Sequence, residues 1–490
     1  MTPTIPLPFS ADAIHGKTFH FIGIGGCGMS GLAQIIQRLG GAVQGTDAVE
    51  SDVTENLIRL GIPVSFEQDG SEVSSAIDVV VHSAAIPDDH PEMLASDRLG
   101  IPLVTYSKML GIVQTRHTGV CIAGTHGKST TVSMLSAILL HAGIDPSFIV
   151  GANCEQIGGS CRVGAAEVPV GRLKGSKGML ISESCEFNRS FHDHDPTLAL
   201  IHNIEEDHLD YYQSLDAIIE SFKGFASSIP HENLGGYLLI AHDGAHRQLI
   251  TPGLQCKVET YGFHPEADYQ VIFDPSVRRV GILREGLWTI QWTNSMLGSH
   301  NALNAVAAAI LAARLGVDWD DIVEPLENFQ GVDRRLQNVG TLSCKDGGLA
   351  TIYDDYGHHP TEIEMTLRAI RASELPKRLI CVFQPHQHSR TRFLLDQFAQ
   401  SFSSADEVIV PHIYFVRDSE AEKQRVSAQD LVDKLIAKGA VAKHYETFDE
   451  IVKYVKSHAR DGDLITVMGA GPVTSIAHDL CSHPELSNSS

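Results

Sequence analysis

The chain has 490 residues, of which 43% are hydrophobic and 20% are charged, and its formal net charge is −23. This length exceeds what one ordinary hydrophobic core can hold and indicates about two to four domains. The composition excludes a disordered or membrane-spanning protein, and the acidic balance argues against broad binding to nucleic acid, although a local pocket can still hold a small phosphorylated ligand.

The cysteines and the first residues bear on the cellular compartment. The nine cysteines are scattered and odd in number, so reduced thiols are expected rather than a disulfide framework or a zinc ribbon. Residues 1–10 carry no basic segment ahead of an apolar run, and no later stretch reaches about 18 uninterrupted apolar residues. We therefore expect a cytoplasmic protein with no membrane partner.

The first predicted unit is a strand, a glycine-rich turn and a helix. Gly23, Gly25 and Gly28 stand in GxGxxG register, and Asp47 ends the next predicted strand about 20 residues on, where a Rossmann-type fold places a ribose-binding acid. The pattern fits NAD(P), a pyrophosphate joining uridine to a sugar, or glycines needed only for helix packing. We therefore predict a nucleotide-binding domain over 1–116 whose ligand the motif leaves open.

The central feature is the run VCIAGTHGKSTT at 120–131, which reads as strand, glycine-rich turn and helix. Backbone N–H groups at such a helix N-terminus cradle phosphate, Lys128 would reach the terminal phosphates, and Ser129 or Thr130 would place a hydroxyl on magnesium. Two residues instead of the usual four separate the first glycine from the Gly-Lys pair. The run therefore predicts a short phosphate-binding loop.

Two later apolar strands end in acid-rich and histidine-rich segments, at 182–186 and 202–210. The carboxyl ends of parallel strands share one edge of a sheet, so these segments should lie beside the phosphate loop. Glu183 and His208 are the favoured magnesium ligands. The other acids are expected to be solvated or capping charges: Glu186, Glu205, Glu206, Asp207 and Asp210.

A helix rich in small residues begins near 299 and carries Asn301 and Asn304 one turn apart. Amides that both donate and accept hydrogen bonds suit the edge of a purine. Core packing explains the same helix equally well, so adenine contact and a structural role both stay open.

The last third follows a linker at 329–337 and forms a third α/β series. Its strands are predicted at 349–353, 378–383, 407–410 and 464–468. Four histidines follow the first two of these strands, where an open sheet binds ligand. They are His358, His359, His386 and His388. No thiolate or HxxxH spacing supports a zinc site.

Eight segments, in order and over nearly the whole chain, resemble the motifs of the Mur ligases. They lie at 23–29, 124–130, 182–186, 203–210, 300–304, 333–335, 353–362 and 385–391. The GIGG loop at 23–26 and the YDDYGHHP run at 353–360 are similar to those of the branch that adds alanine.

The resemblance implies an α/β fold of three domains and a defined reaction. A Rossmann-like domain at 1–116 would bind a UDP-sugar, a P-loop ATPase-type domain at 117–332 would bind ATP, and a Rossmann-like domain at 333–490 would bind the amino acid. The enzyme would join L-alanine to the carboxylate of UDP-N-acetylmuramate through an acyl phosphate, with ATP and Mg²⁺, in peptidoglycan precursor synthesis. It would act as a monomer or homodimer.

The resemblance also assigns residues to each ligand. Those for the UDP-sugar are Gly23, Gly25, Gly26, Gly28, Met29, Asp47 and Ser83. Those for ATP are Gly124, Thr125, His126, Gly127, Lys128, Ser129, Thr130, Asn301, Asn304, Arg335 and Asp354. Those for the amino acid are Tyr356, His358, Arg390 and Arg392. The catalytic group would be Lys128, Glu183, His208, His358 and Arg390, with magnesium on Ser129, Thr130, Glu183 and His208.

Some positions depart from the family pattern. Ser129 stands where threonine is usual, and the insertion at 160–177 has no family role. Some members carry a carbamylated lysine after the segment that corresponds to 203–210, and Lys223 lies at a compatible distance from it. The alternatives are a recycling ligase that joins a tripeptide to UDP-N-acetylmuramate, an NAD(P)-dependent oxidoreductase, and a nucleotide-sugar sensor without catalytic activity. Tolerance for glycine or serine depends on pocket volume, because one methyl group discriminates by only about 1–3 kcal/mol.

Overall fold

The computed structural model describes residues 13–244, 246–416 and 418–481 and contains three β-sheets flanked by helices. The sheets follow one another along the chain, and each is built from one continuous stretch of sequence. The predicted three-domain α/β architecture is therefore confirmed. No helix within the described ranges combines the length and apolar character needed to cross a bilayer.

The first sheet is parallel and has helices in its crossovers. Its strands are β1 (Thr18–Ile22), β2 (Ala42–Thr46), β3 (Val64–Ser65), β4 (Val79–His82) and β5 (Leu103–Thr105). Its helices are α1 (Cys27–Arg38), α2 (Asp52–Arg59), α3 (Pro91–Leu99) and α4 (Tyr106–Gln114). The strand order is β3-β2-β1-β4-β5, so the turns after β1, β2 and β4 open on one edge.

The central sheet has ten strands, and the phosphate loop follows one of them, β6. Its strands are β6 (Thr118–Ala123), β7 (Ser147–Ile149), β8 (Cys161–Arg162), β9 (Met179–Ser184), β10 (Leu198–Ile201), β11 (Tyr237–Ala241), β12 (Lys257–Gly262), β13 (Tyr269–Asp274), β14 (Arg279–Arg284) and β15 (Leu287–Thr293). Its helices are α5 (Lys128–His141), α6 (Leu209–Tyr212), α7 (Leu215–Ser227), α8 (Arg247–Ile250), α9 (Ser299–Arg314) and α10 (Asp320–Glu327).

The position of β6 explains why the predicted segments meet. It lies between β10 and β9 and pairs with both in parallel, so Ala123 stands opposite Ile201 and Ser184 where the strands end. The small residues of α9 let it pack closely on α5 within one hydrophobic core. The five strands from β11 to β15 lie between 211 and 296, where no element was predicted.

The C-terminal sheet is parallel except at its first strand. Its strands are β16 (Gln337–Ser343), β17 (Leu349–Asp355), β18 (Arg378–Phe383), β19 (Glu407–Val410), β20 (Ala442–His444) and β21 (Asp463–Met468), in the order β16-β17-β21-β18-β19-β20. Its helices are α11 (Pro360–Glu374), α12 (His388–Phe393), α13 (Leu395–Ser401), α14 (Glu420–Lys423), α15 (Ala428–Ala437), α16 (Phe448–His458) and α17 (Thr474–Leu480). Four strands match the prediction, whereas β16 and β20 were not predicted.

The insertion at 160–177 helps to seat the first domain on the second. Its first residues form β8, which pairs antiparallel with β7. A Cβ on Gly31 would lie 2.7 Å from Cβ of Cys161 and 3.1 Å from Cγ1 of Ile149, so glycine lets α1 approach these strands closely. This contact gives the start of the insertion a structural role that the sequence did not indicate.

Candidate active site

The loop that joins β6 to α5 is shaped by two glycines. Gly124 and Gly127 have φ values of +135° and +86°, which other residues rarely adopt. A Cβ on Gly127 would lie 2.6 Å from Oδ1 of Asn304, so a side chain there would collide with α9. The backbone therefore passes close to α9 and leads into the N-terminus of α5, where N–H groups attract an anion.

Lys128 begins α5 and its ammonium group lies over the loop. Nζ donates to the carbonyl oxygens of Gly124 and Thr125, the latter at 3.0 Å, and to Oε2 of Glu186 at 3.1 Å. Burial disfavours the charge, but Glu186, Cys185 and Glu183 together outweigh burial and raise the pKa of Lys128 above its usual range. The prediction that Glu186 is a solvated or capping charge is wrong, because its side chain is only 4% exposed and pairs with Lys128.

Three of the predicted magnesium ligands lie around this loop. Ser129 and Thr130 are buried in the first turn of α5, and Glu183 lies near the end of β9 beside β6. Oε1 of Glu183 accepts the N–H of Gly151 at 2.5 Å, and its charge contributes to the raised pKa of Lys128. Hydroxyl and carboxylate oxygens are the hard donors that Mg²⁺ prefers.

His208, the fourth predicted ligand, follows β10. Its Nε2 lies 3.6 Å from Oδ2 of Asp207, and its ring centroid lies 4.8 Å from that of Phe187. The backbone of His208 has a φ of +52°, a left-handed conformation that costs a residue with a side chain about 1–3 kcal/mol. The surrounding structure therefore holds this side chain in a specific place between an acid and an aromatic ring.

A cavity of about 360 Å³ opens beside the loop, between the central and C-terminal domains. This volume lies in the range of ligand pockets, about 300–1,000 Å³. The predicted ATP-binding residues that line it are His126, Gly127, Thr130, Asn301, Asn304 and Arg335. The cavity is also lined by residues for which no role was predicted. They include His202, Asp243, Tyr261, His300 and Asp355.

Asp354, a predicted ATP contact, does not line this cavity, whereas its neighbour Asp355 does. Successive side chains in β17 point to opposite faces of the sheet. Oδ2 of Asp354 instead accepts from Oγ1 of Thr474 at 2.6 Å, and Oδ2 of Asp355 accepts the N–H of Leu336 at 2.7 Å. Burial raises the pKa of Asp355 to about 6. The acid that lines the cavity is therefore Asp355, one position after the predicted Asp354.

The two asparagines of α9 line the cavity with their amides in fixed orientations. Nδ2 of Asn301 donates to the carbonyl oxygen of Leu297 at 2.9 Å, and Nδ2 of Asn304 donates to Oδ1 of Asn301 at 3.2 Å. Oδ1 of Asn304 lies against Gly127, as the close approach of that glycine shows. The pair forms a polar surface next to the phosphate loop.

A buried ion pair joins α12 of the C-terminal domain to the segment after β10. Nε of Arg390 donates to Oδ1 of Asp207 at 3.0 Å, and its Nη1 lies 3.0 Å from Nδ1 of His386. Burial would raise the pKa of Asp207, but Arg390 and the neighbouring histidines together hold it far below its usual range. The prediction that Asp207 is a solvated or capping charge is therefore wrong.

Two further predicted amino-acid contacts lie near this pair. The rings of Tyr356 and His358 meet edge to face with centroids 5.4 Å apart, and His358 lies 5.8 Å from the ring of His386. Burial, together with the charge of Arg390, lowers the pKa of His358 to about 3. His358 is therefore a neutral imidazole at pH 7 and can accept a hydrogen bond from a cation.

Arg392 extends to a different neighbour. Its Nε donates to Oε2 of Glu422 at 2.9 Å, and its guanidinium lies 4.1 Å from the ring centre of Phe393. Residues two apart on a helix do not face the same way, so Arg390 and Arg392 leave α12 in different directions. The structure does not support the prediction that Arg392 lines the amino-acid site. Lys223, in contrast, is exposed on α7.

The phosphate loop is also paired with the C-terminal domain through His126. Its Nδ1 lies 3.1 Å from Oε1 of Glu362, and its Nε2 lies 3.6 Å from Oε2 of Glu205. Burial disfavours the charged imidazole, but the two carboxylates outweigh burial and raise the pKa of His126 to about 10. Glu205, expected to be solvated or capping, has a pKa lowered to about 2 despite partial burial, chiefly by His126.

This pairing predicts a loss of stability at alkaline pH. The pKa of His126 is about 10 when folded and 6.5 ordinarily, so its contribution is complete below about pH 6.5 and disappears as the pH rises towards 10. We expect the melting temperature of wild type to fall relative to that of His126→Gln between pH 7 and 10. Parallel melting curves for the two proteins over this range would contradict the ion pair.

The glycine loop of the first domain, predicted to bind the UDP-sugar, lies at the edge of its sheet. Gly23 has a φ of +77°, and the N–H of Gly25 donates to Oδ2 of Asp47 at 2.8 Å. Met29 is buried in α1, and Oγ of Ser83 accepts the N–H of Ala85 at 3.2 Å after β4. A Cβ on Gly28 would lie 2.8 Å from the ring of Tyr106, and the neighbouring Gly26 completes the loop. Asp47 therefore fixes the backbone of the loop through its hydrogen bond with Gly25.

Sequence reasoning missed two acids at the junction of the domains, Asp355 and Glu362. Glu362 stands three residues after His359 with Pro360 between them, a pattern that marks a helix start. The structure shows this capping box, in which Oε2 of Glu362 accepts the N–H groups of His358 and His359 at 2.9 and 3.2 Å. The signal could have located the cap, but not its pairing with His126.

Comparison with known proteins places these features in one family. Residues 18–118 match the model described as "Mur ligase family, catalytic domain". Residues 122–312 match "Mur ligase middle domain", and residues 334–471 match "Mur ligase, glutamate ligase domain". The three matches follow the order of the three sheets.

Individual relatives agree with these models. The UDP-N-acetylmuramate–L-alanine ligase of Agathobacter rectalis is 39% identical over 94% of this chain and 97% of its own length. That of Caldanaerobacter subterraneus subsp. tengcongensis is 37% identical over 93% of this chain and 95% of its own length. The crystal structure of UDP-N-acetylmuramate-alanine ligase from Thermotoga maritima shares the fold, with a TM-score of 0.73, 24% identity and coverage of 94% and 98%. The chain belongs to the Mur ligase family.

Proposed function

We propose that this chain is an ATP-dependent ligase that joins L-alanine to the carboxylate of UDP-N-acetylmuramate. One observation carries the proposal. The phosphate loop, the cavity of about 360 Å³ and the group formed by Arg390, Asp207 and His386 all lie at the junction between the central and C-terminal domains. Relatives 36–39% identical over at least 93% of the chain bear the name of this alanine ligase. They favour it over the tripeptide ligase and the oxidoreductase.

ATP would bind with its phosphates on the loop and its nucleoside in the cavity. Lys128 carries a positive charge beside the loop carbonyls, where the terminal phosphates would lie. Asn301 and Asn304 would meet adenine, and Arg335 together with Asp355 would approach from the C-terminal domain. Phosphoryl transfer depends mainly on positioning and charge neutralisation, which these residues would supply.

The reaction would proceed in two steps. The muramate carboxylate attacks the γ-phosphorus of ATP, ADP leaves, and the carboxylate becomes an acyl phosphate. The ammonium group of bound alanine loses a proton to solvent, and the free α-amine attacks the acyl carbon. The tetrahedral intermediate then loses a second proton and expels inorganic phosphate as the amide forms. Arg390 would hold the alanine carboxylate, and neutral His358 would accept a hydrogen bond from its ammonium group.

Mg²⁺ fits the donor set around the loop, since Ser129, Thr130 and Glu183 present hydroxyl and carboxylate oxygens. When bound, it would neutralise charge on the phosphates. His208 would be a further ligand. The UDP part of the other substrate would lie on the Gly23–Met29 loop, with Asp47 and Ser83 at its edges.

We propose domain boundaries at 116/117 and 332/333. The positions of the three sheets, at 18–105, 118–293 and 337–468, support these boundaries. We also propose a cytoplasmic monomer or homodimer that acts on small molecules and not on nucleic acid.

Phosphate release tests the proposed function. With UDP-N-acetylmuramate and ATP, release should depend on free L-alanine. Turnover with only a tripeptide would favour the recycling ligase, NADH oxidation without ATP would favour the oxidoreductase, and tight binding without turnover would favour a sensor.

Glu183→Gln tests the magnesium site. Removing a carboxylate ligand should raise the Mg²⁺ concentration for half-maximal activity by about tenfold or more. The matched control is Glu155→Gln, at an exposed carboxylate, which should leave this concentration unchanged. Equal Mg²⁺ dependence of wild type and Glu183→Gln would remove Glu183 from the metal site.

A further inference from the structure

We propose that His126 is a positioning residue which, through Glu362 and Glu205, couples the phosphate loop to the C-terminal domain. The inference rests on the proposed function and adds to it a route by which ATP binding favours alanine binding. The coupling contact, defined as His126, Glu205 and Glu362, lies at the border of the cavity.

On the central-domain side, the coupling contact is anchored in the loop itself. The N–H of His126 donates to Oδ1 of Asn203 at 2.8 Å, and the N–H of Glu205 donates to Oγ1 of Thr125 at 3.0 Å. The loop and the segment after β10 therefore hold each other by hydrogen bonds on both sides of His126. A phosphate that orders the loop would also order the imidazole.

On the C-terminal side, one carboxylate joins three elements. Oε1 of Glu362 lies 3.1 Å from Nδ1 of His126 and 3.7 Å from Nη1 of Arg335 in the linker. Oε2 of the same residue accepts the N–H of His358 at 2.9 Å. Glu362 thus connects the phosphate loop, the interdomain linker and the turn that carries a proposed alanine contact.

A second bridge strengthens the same junction. Oγ1 of Thr361 donates to Oε2 of Glu205, and Nε2 of His359 donates to the carbonyl oxygen of Glu206 at 3.0 Å. His126, Glu205 and His359 lie close enough together to be considered as ligands of a metal ion instead. However, Nδ1 of His359 already accepts the N–H of Thr361 at 3.3 Å, so neither ring nitrogen has a lone pair to give.

The arrangement has a thermodynamic consequence. If ATP orders the loop and the loop holds the C-terminal domain, then ATP and alanine must each raise the affinity for the other by the same factor. Such coupling is typically about 5- to 150-fold. Removing either end of the His126–Glu362 contact should lower that factor while leaving the UDP-sugar site, on the first domain, intact.

The test uses full-length wild type, His126→Gln, Glu362→Gln and the double variant. The dissociation constant of alanine is measured with and without a non-hydrolysable ATP analogue, in the presence of UDP-N-acetylmuramate. We expect the analogue to tighten alanine binding about tenfold in wild type and less than twofold in either single variant. The double variant should be no worse than a single one, because both substitutions remove one interaction.

The matched control is Glu364→Gln, on the same helix but at an exposed carboxylate that pairs with Arg368. It should retain the wild-type coupling. Undiminished coupling in His126→Gln, or additive losses in the double variant, would overturn the proposal. His126→Gln keeps the test decisive if Glu362→Gln fails to fold.

A structural measurement separates this proposal from the proposed function. Small-angle X-ray scattering with the ATP analogue, without alanine, should give a larger radius of gyration for His126→Gln than for wild type. Equal radii would count against the coupling contact whatever the enzyme's activity. Absence of alanine-dependent phosphate release in wild type would instead refute the proposed function.

Discussion

Replacing Lys128 by alanine is expected to abolish ligation while leaving UDP-sugar binding nearly intact. The partly buried ammonium group lies over the phosphate loop, and its loss removes charge neutralisation of the transferred phosphoryl group. We expect turnover to fall by on the order of 10³-fold or more. Steady-state phosphate release and calorimetric titration with UDP-N-acetylmuramate measure the two effects separately.

The same substitution leaves Glu186 buried without its cation, at a cost of about 3–5 kcal/mol in unfolding free energy. The double variant Lys128→Ala/Glu186→Gln controls for this loss. It should regain most of the stability and none of the activity. Loss of UDP-sugar binding in the folded double variant would show that the phosphate loop is not the ATP site.

Replacing Arg390 by glutamine is expected to have the second largest effect. Asp207 would remain buried without its partner, so the unfolding free energy should fall by about 3–5 kcal/mol. Alanine-dependent phosphate release should also disappear, because the proposed carboxylate contact is lost. Denaturant unfolding and phosphate release measure the two effects.

The double variant Asp207→Asn/Arg390→Gln separates stability from activity. It should recover much of the stability, since no buried charge is left unpaired, and still lack alanine-dependent release. Arg392→Gln provides a comparison on the same helix, because its more exposed pair with Glu422 contributes about 1 kcal/mol or less. Wild-type alanine affinity in the double variant would exclude Arg390 from the amino-acid site.

The features that the sequence predicted well are those encoded locally. The strand–loop–helix at 120–131 and the two acid-ended strands beside it follow from short apolar runs and glycines, and parallel pairing of β6 with β9 and β10 brings them together. The acid that lines the cavity could not be chosen in this way. Asp354 and Asp355 point to opposite faces of β17, and the sequence alone does not tell which face meets the cavity.

The features that the sequence missed depend on contacts between distant segments. Acidic residues are rarely buried without a partner, and the sequence does not reveal the partner of Glu186 or of Asp207. Both were therefore expected at the surface. Their partners, Lys128 and Arg390, lie 58 and 183 positions away. The pairing of His126 with Glu362 was missed for the same reason, because the two residues are distant in sequence.

In the proposed reaction the γ-phosphate of ATP activates the carboxylate of the sugar substrate. This step can be followed with UDP-N-acetylmuramate labelled with ¹⁸O in its carboxylate, incubated with the enzyme, ATP and L-alanine. We expect ADP, a product extended by one alanyl residue, and one ¹⁸O atom in each released phosphate. Transfer of the label to AMP with release of pyrophosphate, or phosphate free of label, would contradict the proposed reaction.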